Sequence, residues 1–99
     1  MTEYLIKADV LHINEATIRA HGGHFVSPHN FLHENSLDYL LEMVKAEIFG
    51  QPLYPKIHDK AAVYLYNIVA NHVFQDGDKR TGLEYCLLHL RLNEYTLAS

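Results

Sequence analysis

The amino-acid sequence predicts an all-α fold with a buried central helix. Apolar residues recur at helical spacing in three stretches, residues 6–21, 37–48 and 83–92. A fourth stretch, residues 57–74, is apolar almost all round, which is typical of a helix at the centre of its domain. Glycines and prolines lie between these stretches and predict the connections.

The first predicted helix covers residues 6–21. The Gly-Gly pair at residues 22–23 predicts its end, because glycine tolerates the left-handed backbone found at helix C-termini. The Ser27-Pro28 pair predicts a short helix or turn, since serine caps helices and proline suits their first position. The positions expected to form the apolar stripe of the first helix are Ile6, Val10, Ile13, Thr17 and Ala20.

The second amphipathic stripe predicts a helix over residues 37–48, closed by Gly50. Residues 51–55 contain two prolines, which bias their predecessors towards extended backbone, and so predict an exposed, fairly stiff loop. The stripe consists of Leu37, Leu40, Leu41, Val44 and Ile48.

The central helix over residues 57–74 leads into a polar loop. A last helix is expected to begin near Asp78 or Lys79 and to turn Leu83, Leu87 and Leu90 towards the core. The tail, residues 93–97, is expected to form a turn and a short strand.

Length and composition narrow the classes of function. A chain of 99 residues, 48% of them apolar, predicts a single domain over residues 1–99 with a compact core. A single cysteine, Cys86, excludes an intrachain disulfide and fits a cytoplasmic location. The net charge of −4 disfavours direct contact with nucleic acid. The N-terminus lacks the pattern of a signal peptide, and the longest apolar run is too short to span a membrane.

The loop before the last helix is more polar than a turn requires. Within residues 72–82 it combines an imidazole, two carboxylates, a glycine and two cations. Taken alone, His72 falls in phase with the apolar face of the central helix, which favours a core histidine with backbone partners. Taken alone, Asp78 favours a solvated turn in which it caps the last helix. Neither interpretation explains the neighbouring cations.

A ligand site explains the loop as a whole. The free backbone N–H groups at the start of the last helix form an anion site, which Lys79 and Arg80 strengthen. Gly77 lets the backbone approach a ligand closely, and Asp76 is the type of side chain that holds Mg²⁺ beside phosphates. With His72 as a base, the loop predicts phosphate chemistry.

The segment from His72 to Arg80 resembles the motif of the Fic/Doc family. That motif begins with a histidine and has a phenylalanine two residues later. An acidic residue, a glycine, an asparagine, a position that holds either glycine or lysine, and an arginine then follow in order. Lys79 stands where nucleotidyl-transferring Fic enzymes usually carry glycine, which is the Doc (death on curing) pattern. Agreement covers nearly the whole chain, including Leu11-His12, Gly22-Gly23, Phe49-Gly50 and residues 53–55 and 60–62.

The resemblance implies a toxin of a toxin–antitoxin pair that acts as a protein kinase. Such a toxin transfers the ATP γ-phosphate to a threonine of elongation factor Tu and arrests translation, while a separate antitoxin inhibits it. The chain has no Ser/Thr-x-x-x-Glu-Gly/Asn inhibitory motif of its own. The resemblance implies that His72 is the general base, Asp76 the magnesium ligand and Phe74 a core anchor. It places Gly77, Asp78, Lys79 and Arg80 at the nucleotide.

Three positions depart from the family pattern. Asp78 replaces asparagine, and a carboxylate repels the phosphate oxygen that an amide can bind. Asp78 could instead serve as a second magnesium ligand or only as a helix cap, and reduced activity is one expected consequence. Glu94 replaces the glycine that commonly follows the last helix. The chain also ends at Ser99, where relatives continue into at least one further helix; a partner or a second copy of the chain would then cover the exposed core.

Three alternatives stay open. The first keeps the fold but transfers a nucleotidyl group, typically AMP, to a protein hydroxyl. The second is a catalytically weak or inactive module that only binds an antitoxin or regulator, which Asp78 and the early end favour. The third is a metal site, although the sequence contains no HExxH pattern to support it. Its histidines would be His21, His24, His29 and His33.

Overall fold

Four helices and a small hairpin form the structure between residues 2 and 93, the part of the chain that this computed structural model describes. The helices α3 and α4 share the most extensive contact, α1 packs on α4, and α2 packs on α1 and α3. The all-α prediction is confirmed. In chain order the elements are α1 (Lys7–His21), α2 (Glu34–Met43), β1 (Glu47–Ile48), β2 (Gln51–Pro52), α3 (Ile57–Ala70) and α4 (Asp78–Leu92).

One apolar cluster fills the space between the helices. All four helices contribute to it, and so does the loop that joins α3 to α4. The prediction of a single domain over residues 1–99 extends beyond the described residues and stays a prediction. The buried members of the cluster are Leu5, Val10, Leu37, Leu40, Val44, Tyr64, Ile68, Val73, Phe74 and Tyr85.

The first helix agrees with its predicted bounds and buries Val10 and Thr17 of its predicted stripe, but not the ends of that stripe. The Asp9 carboxylate accepts the Ile6 N–H at 2.8 Å at its start, and the Gly22 N–H donates to the Ile18 carbonyl at its end. Ile6 and Ala20 are exposed, so the predicted stripe is wrong at both ends. Asn14 is fully buried instead, and it turns the inner face of α1 polar in the middle.

The second helix is shorter than predicted. It ends at Met43, because the Lys45 and Ala46 N–H groups bond three residues back and tighten the last turn. Ile48 is therefore not helical: it lies in β1, exposed, and pairs with Gln51 of β2. Phe49 and Gly50 connect the two antiparallel strands, both with positive φ, as tight hairpin turns require.

The central helix α3 buries one face rather than its whole circumference. Ala61, Tyr64 and Ile68 face inward, together with Lys60, whose ammonium group donates to the Val44 and Tyr54 carbonyls. Only α4 and α2 contact this helix among the described elements, so the opposite side stays open to solvent. The helix is therefore buried along its inner face only, although its sequence is apolar almost all round.

The last helix begins at Asp78, as predicted, and buries Leu90 of its predicted core face, but its other buried residues lie elsewhere. Thr81, Tyr85 and His89, spaced four residues apart, point inward, whereas Leu83 is 47% exposed. Gly82 lies where α4 crosses α3, and a Cβ atom there would come within 3.2 Å of Leu65 Cδ1. The glycine therefore permits the close approach of the two helices.

Three sequence-based expectations concern the connections and the tail. Ser27-Pro28 forms a turn and no helix. Of the tail expected over residues 93–97, only Asn93 is described; it lies in a turn, and its amide group bonds to the backbone of Glu3. Glu94, Ser99 and any further helix lie outside the described residues. Between residues 2 and 93, no helix is long and apolar enough to cross a membrane.

Candidate active site

The loop between α3 and α4 begins with a sharp change of backbone direction. The helix ends at Ala70, and His72 adopts a positive φ of 47°. Positive φ is rare for residues other than glycine, although histidine tolerates it better than most. His72 therefore lies outside the helix with an exposed side chain, and the interpretation as a core histidine on the last helical turn is wrong.

The segment before α2 holds this turn in place. The backbone N–H groups of Leu32 and His33 both donate to the Val73 carbonyl, at 2.9 and 3.0 Å. The His33 ring places Nδ1 at 3.0 Å from the Asn71 carbonyl and 3.2 Å from the His72 carbonyl. Since both partners are acceptors, Nδ1 carries the proton. The carbonyl oxygens left over at the end of α3 thus gain a donor.

Phe74 anchors the middle of the loop in the core. Its side chain is 1% exposed and stacks on Phe31, with the ring centroids 5.4 Å apart and an interplanar angle of 11°. The same two residues form an isolated antiparallel bridge through their backbones. This burial agrees with the anchoring role expected for Phe74.

The loop and α1 enclose a cavity of about 640 Å³. All six residues predicted to carry function line this cavity: His72, Asp76, Gly77, Asp78, Lys79 and Arg80. Its other lining residues are Thr17, His21 and Gly22 from the end of α1, with Val69 and Leu83 as apolar walls. The structure therefore brings the predicted residues together, while their individual roles stay predictions.

The Asp76 carboxylate is exposed but firmly oriented. Its Oδ2 accepts the His24 N–H at 2.9 Å, and its Oδ1 accepts the Gly77 N–H at 2.8 Å. Both bonds lower the pKa of Asp76, and the bond from His24 contributes the most. Each carboxylate oxygen keeps a further lone pair. The ionised, cavity-lining group therefore fits the hard-cation ligand that the sequence predicts.

Asp78 occupies the first position of α4 and closes the loop rather than capping the helix. Its Oδ1 accepts the Phe74 N–H at 2.9 Å, and the cap position belongs to Gly77, with a left-handed φ of 78°. Burial raises the pKa of Asp78, although the bond from Phe74 opposes this shift. A half-buried carboxylate thus lies in the wall of a cavity expected to hold anions.

The start of α4 offers donors to an anion. Among the described residues no side chain caps this helix, so the N–H groups of Asp78, Lys79 and Arg80 have no partner within it. The side chains of Lys79 and Arg80 are exposed at the same end. Arg80 Nη1 lies 3.4 Å from His21 Nε2, which brings the end of α1 against the cationic side of the cavity.

Sequence reasoning missed the residues that support this site from below. Asn14 and Asn30 are fully buried and hydrogen-bond to each other, and Asn14 also donates to the Asp76 carbonyl. One signal was present: Asn14 stands one helical turn after Val10, at a core position, and a buried amide needs hydrogen-bond partners. Asn30 gave no such signal, because it follows a turn.

The four histidines of the alternative metal site do not come together. His21 faces Arg80, and His33 bonds to the backbone at the end of α3. Between residues 2 and 93, no three His, Cys, Asp or Glu side chains form a group that could hold a metal ion.

The fold and cavity define a helical domain with a polar, cavity-lining loop at a helix N-terminus. The family description "Fic/DOC family" matches residues 4–90, and the chain therefore belongs to the Fic/DOC family. A protein of Mycolicibacterium smegmatis named Toxin Doc is 35% identical over 99 residues, which cover 100% of this chain and 71% of that protein. No solved structure matches the chain.

Proposed function

We propose that this protein is a Doc-like toxin that transfers the γ-phosphate of ATP to a protein hydroxyl. The single observation that carries the proposal is the cavity that unites His72, Asp76 and the start of α4. Membership of the Fic/DOC family and the similarity to a protein named Toxin Doc support it. Lys79, at the position where the resemblance separates Doc from nucleotidyl-transferring Fic enzymes, favours phosphoryl transfer.

In the proposed reaction His72 acts as the general base. It takes the proton from the target hydroxyl, whose oxygen attacks the γ-phosphorus of ATP; the bond to the β–γ bridging oxygen breaks and ADP leaves. The exposed His72 side chain lines the cavity, which supports this role.

The start of α4 would hold the nucleotide phosphates. Its partnerless N–H groups and the Lys79 and Arg80 side chains supply donors and positive charge where negative charge builds up. Asp76 would hold Mg²⁺, which neutralises phosphate charge when bound. Phosphoryl transfer depends chiefly on such positioning and charge stabilisation.

The proposed target is a threonine of elongation factor Tu, so that the reaction arrests translation in the cytoplasm. A separate antitoxin would inhibit the protein. The proposed target rests on the family resemblance alone, whereas the antitoxin is also supported by the relative's printed name; neither requires contact with nucleic acid.

A second function has a specific observation in its favour. The Asp78 carboxylate lines the cavity where phosphates would bind, and in its ionised form its charge opposes them. The protein would then be a catalytically impaired module that binds an antitoxin or regulator.

The mass of intact elongation factor Tu after incubation with the protein, ATP and Mg²⁺ tests the proposal. We expect a phosphoryl-sized gain that His72→Ala abolishes. His29→Ala, which removes another exposed histidine outside the cavity, is expected to keep it. A nucleotidyl-sized gain would instead identify AMP transfer.

An unchanged mass leads to the same assay with Asp78→Asn. The amide oxygen can still accept the Phe74 N–H, so this variant removes the charge and keeps the loop closed. Activity regained in this variant would show that Asp78 silences a working site. Continued inactivity would favour the binding module.

A further inference from the structure

Two buried amide side chains meet directly beneath the candidate active site. Asn14, on α1, and Asn30, before α2, are both fully buried. Asn30 Nδ2 donates to Asn14 Oδ1 at 3.1 Å. Asn14 Nδ2 in turn donates to the Asp76 carbonyl at 2.9 Å and to Thr81 Oγ1 at 3.1 Å. One side chain therefore connects α1 to the loop and to α4.

The hydrogen bonds fix the orientation of both amides. Both N–H groups of the Asn14 amide have an acceptor, and its Oδ1 has a donor. If the amide were flipped, its oxygen would face the oxygen of the Asp76 carbonyl, and that hydrogen bond would be lost. Asn30 Oδ1 accepts the Val26 N–H at 2.7 Å, and the Asn30 carbonyl accepts the Gln75 N–H at 2.8 Å. The pair thus binds the loop on both sides of the peptide that precedes Asp76.

The segment after α1 holds the other end of Asp76. The His24 N–H binds its carboxylate, and a Cβ atom on Gly23 would lie 2.9 Å from Asp76 Oδ2. That distance is too short for a side-chain carbon, so glycine at this position leaves room for the carboxylate. Asp76 is therefore held at two points, its backbone carbonyl by Asn14 and its carboxylate by the segment after α1.

We propose that Asn14 and Asn30 are positioning residues for the active-site loop. By fixing the Asp76 carbonyl and Thr81 together, Asn14 sets the direction of the Asp76 carboxylate and its distance from the start of α4. This inference rests on the proposed function, because that function identifies the ligand of the positioned loop as a nucleotide with its magnesium ion. Precise positioning matters because a displacement of about 1 Å in an active site can cost a hundredfold in rate.

Variants of Asn14 and Thr81 test the proposal, with a matched control on the same helix. Asn14→Leu keeps the approximate size and removes all three hydrogen bonds. Thr81→Val keeps the shape but removes the hydroxyl, and Thr81→Ser restores it. Val10→Ala, one turn earlier on α1 and also fully buried, lowers stability through the shared core without removing a hydrogen bond to the loop. Thr81→Val keeps the test decisive if Asn14→Leu does not fold.

Two readouts separate positioning from general destabilisation. Amide hydrogen exchange, measured by NMR, should become faster at His24, Gln75 and Gly77 in Asn14→Leu, but not selectively in Val10→Ala. Affinity for a fluorescent ATP analogue with Mg²⁺ should fall roughly tenfold in Asn14→Leu, the order expected when neutral hydrogen bonds that position the Asp76 backbone and Thr81 are lost. The Thr81→Val variant should weaken binding and Thr81→Ser should retain it.

Kinetics on the protein target add a third readout. We expect kcat to fall by about a hundredfold in Asn14→Leu with an unchanged KM for the target protein. Exchange that rises equally across the whole protein, or an unchanged affinity for the analogue, would overturn the proposal. Wild-type protein that binds the analogue but transfers nothing would refute the proposed function alone. Wild-type protein that does not bind it would refute both.

Discussion

Replacement of Phe74 by alanine tests whether the active-site loop is anchored through the core. The Phe74 side chain is 1% exposed and stacked on Phe31, so the substitution removes a fully buried ring. Such Phe→Ala changes cost about 3–5 kcal/mol. Small proteins have about 5–15 kcal/mol of unfolding free energy, so this loss is a large part of the total.

Urea denaturation followed by circular dichroism measures this loss. For a domain of this size 1 kcal/mol corresponds to roughly 4–8 °C, so the melting temperature in a thermal scan should fall by roughly 12–40 °C. Phe49→Ala is the matched control, because the same side chain is 100% exposed at the hairpin tip. It should change the unfolding free energy by less than about 0.5 kcal/mol. Equal losses in the two variants would refute the anchoring role of Phe74.

Three further predictions concern the backbone and the charges. Gly77→Ala should lower the unfolding free energy in urea titrations more than Gly50→Ala does. The two glycines have φ values of 78° and 77°, so alanine costs about 1–2 kcal/mol of backbone strain at either position. Only at Gly77 would the new Cβ atom also meet neighbouring atoms, the nearest at 3.2 Å. Burial lowers the pKa of His89, so on acidification the unfolded chain binds a proton at this residue before the folded protein does. The contribution of His89 to the unfolding free energy should therefore be fully present above about pH 6.5 and decrease below it, by at most about 1.4 kcal/mol per pH unit. His89→Leu should flatten this slope. Because burial raises the pKa of Asp78, its ionised form costs stability at neutral pH, so Asp78→Asn should unfold at an equal or higher urea concentration; an earlier midpoint would contradict this.

The sequence was most informative where local signals and packing agree. Gly22 ended α1 and Asp78 began α4 as predicted, because both boundaries depend on short-range backbone chemistry. The apolar stripes identified all four helices. They were less reliable on which residues face inward, since that depends on the neighbouring elements: Leu83 is exposed while His89 is buried.

Other features depend on contacts that spacing does not encode. The hairpin strands have two residues each, too few for an alternating pattern, so Ile48 was assigned to a helix. The positive φ of His72 belongs to a local cap at the end of α3, where the His72 and Val73 N–H groups donate back into the helix. The bonds that hold this turn against the segment before α2 join residues nearly forty positions apart. The motif identified the six residues that line the cavity, but nothing in it points to Asn14 or Asn30 as their support.

The absence of a side chain at Gly82 has a consequence for the range of ligands that the protein can accept. A Cβ atom at this position would lie 3.3 Å from Val69 Cγ2, and Val69 is one of the two apolar walls of the cavity. The other wall, Leu83, is the next residue along α4. A single added methyl group would therefore press directly on one wall and spread α3 from α4. Position 82 thus borders a wall of the cavity from outside it, and exchange of this residue tests the ligand size that the proposed site accepts without changing any polar group of the loop.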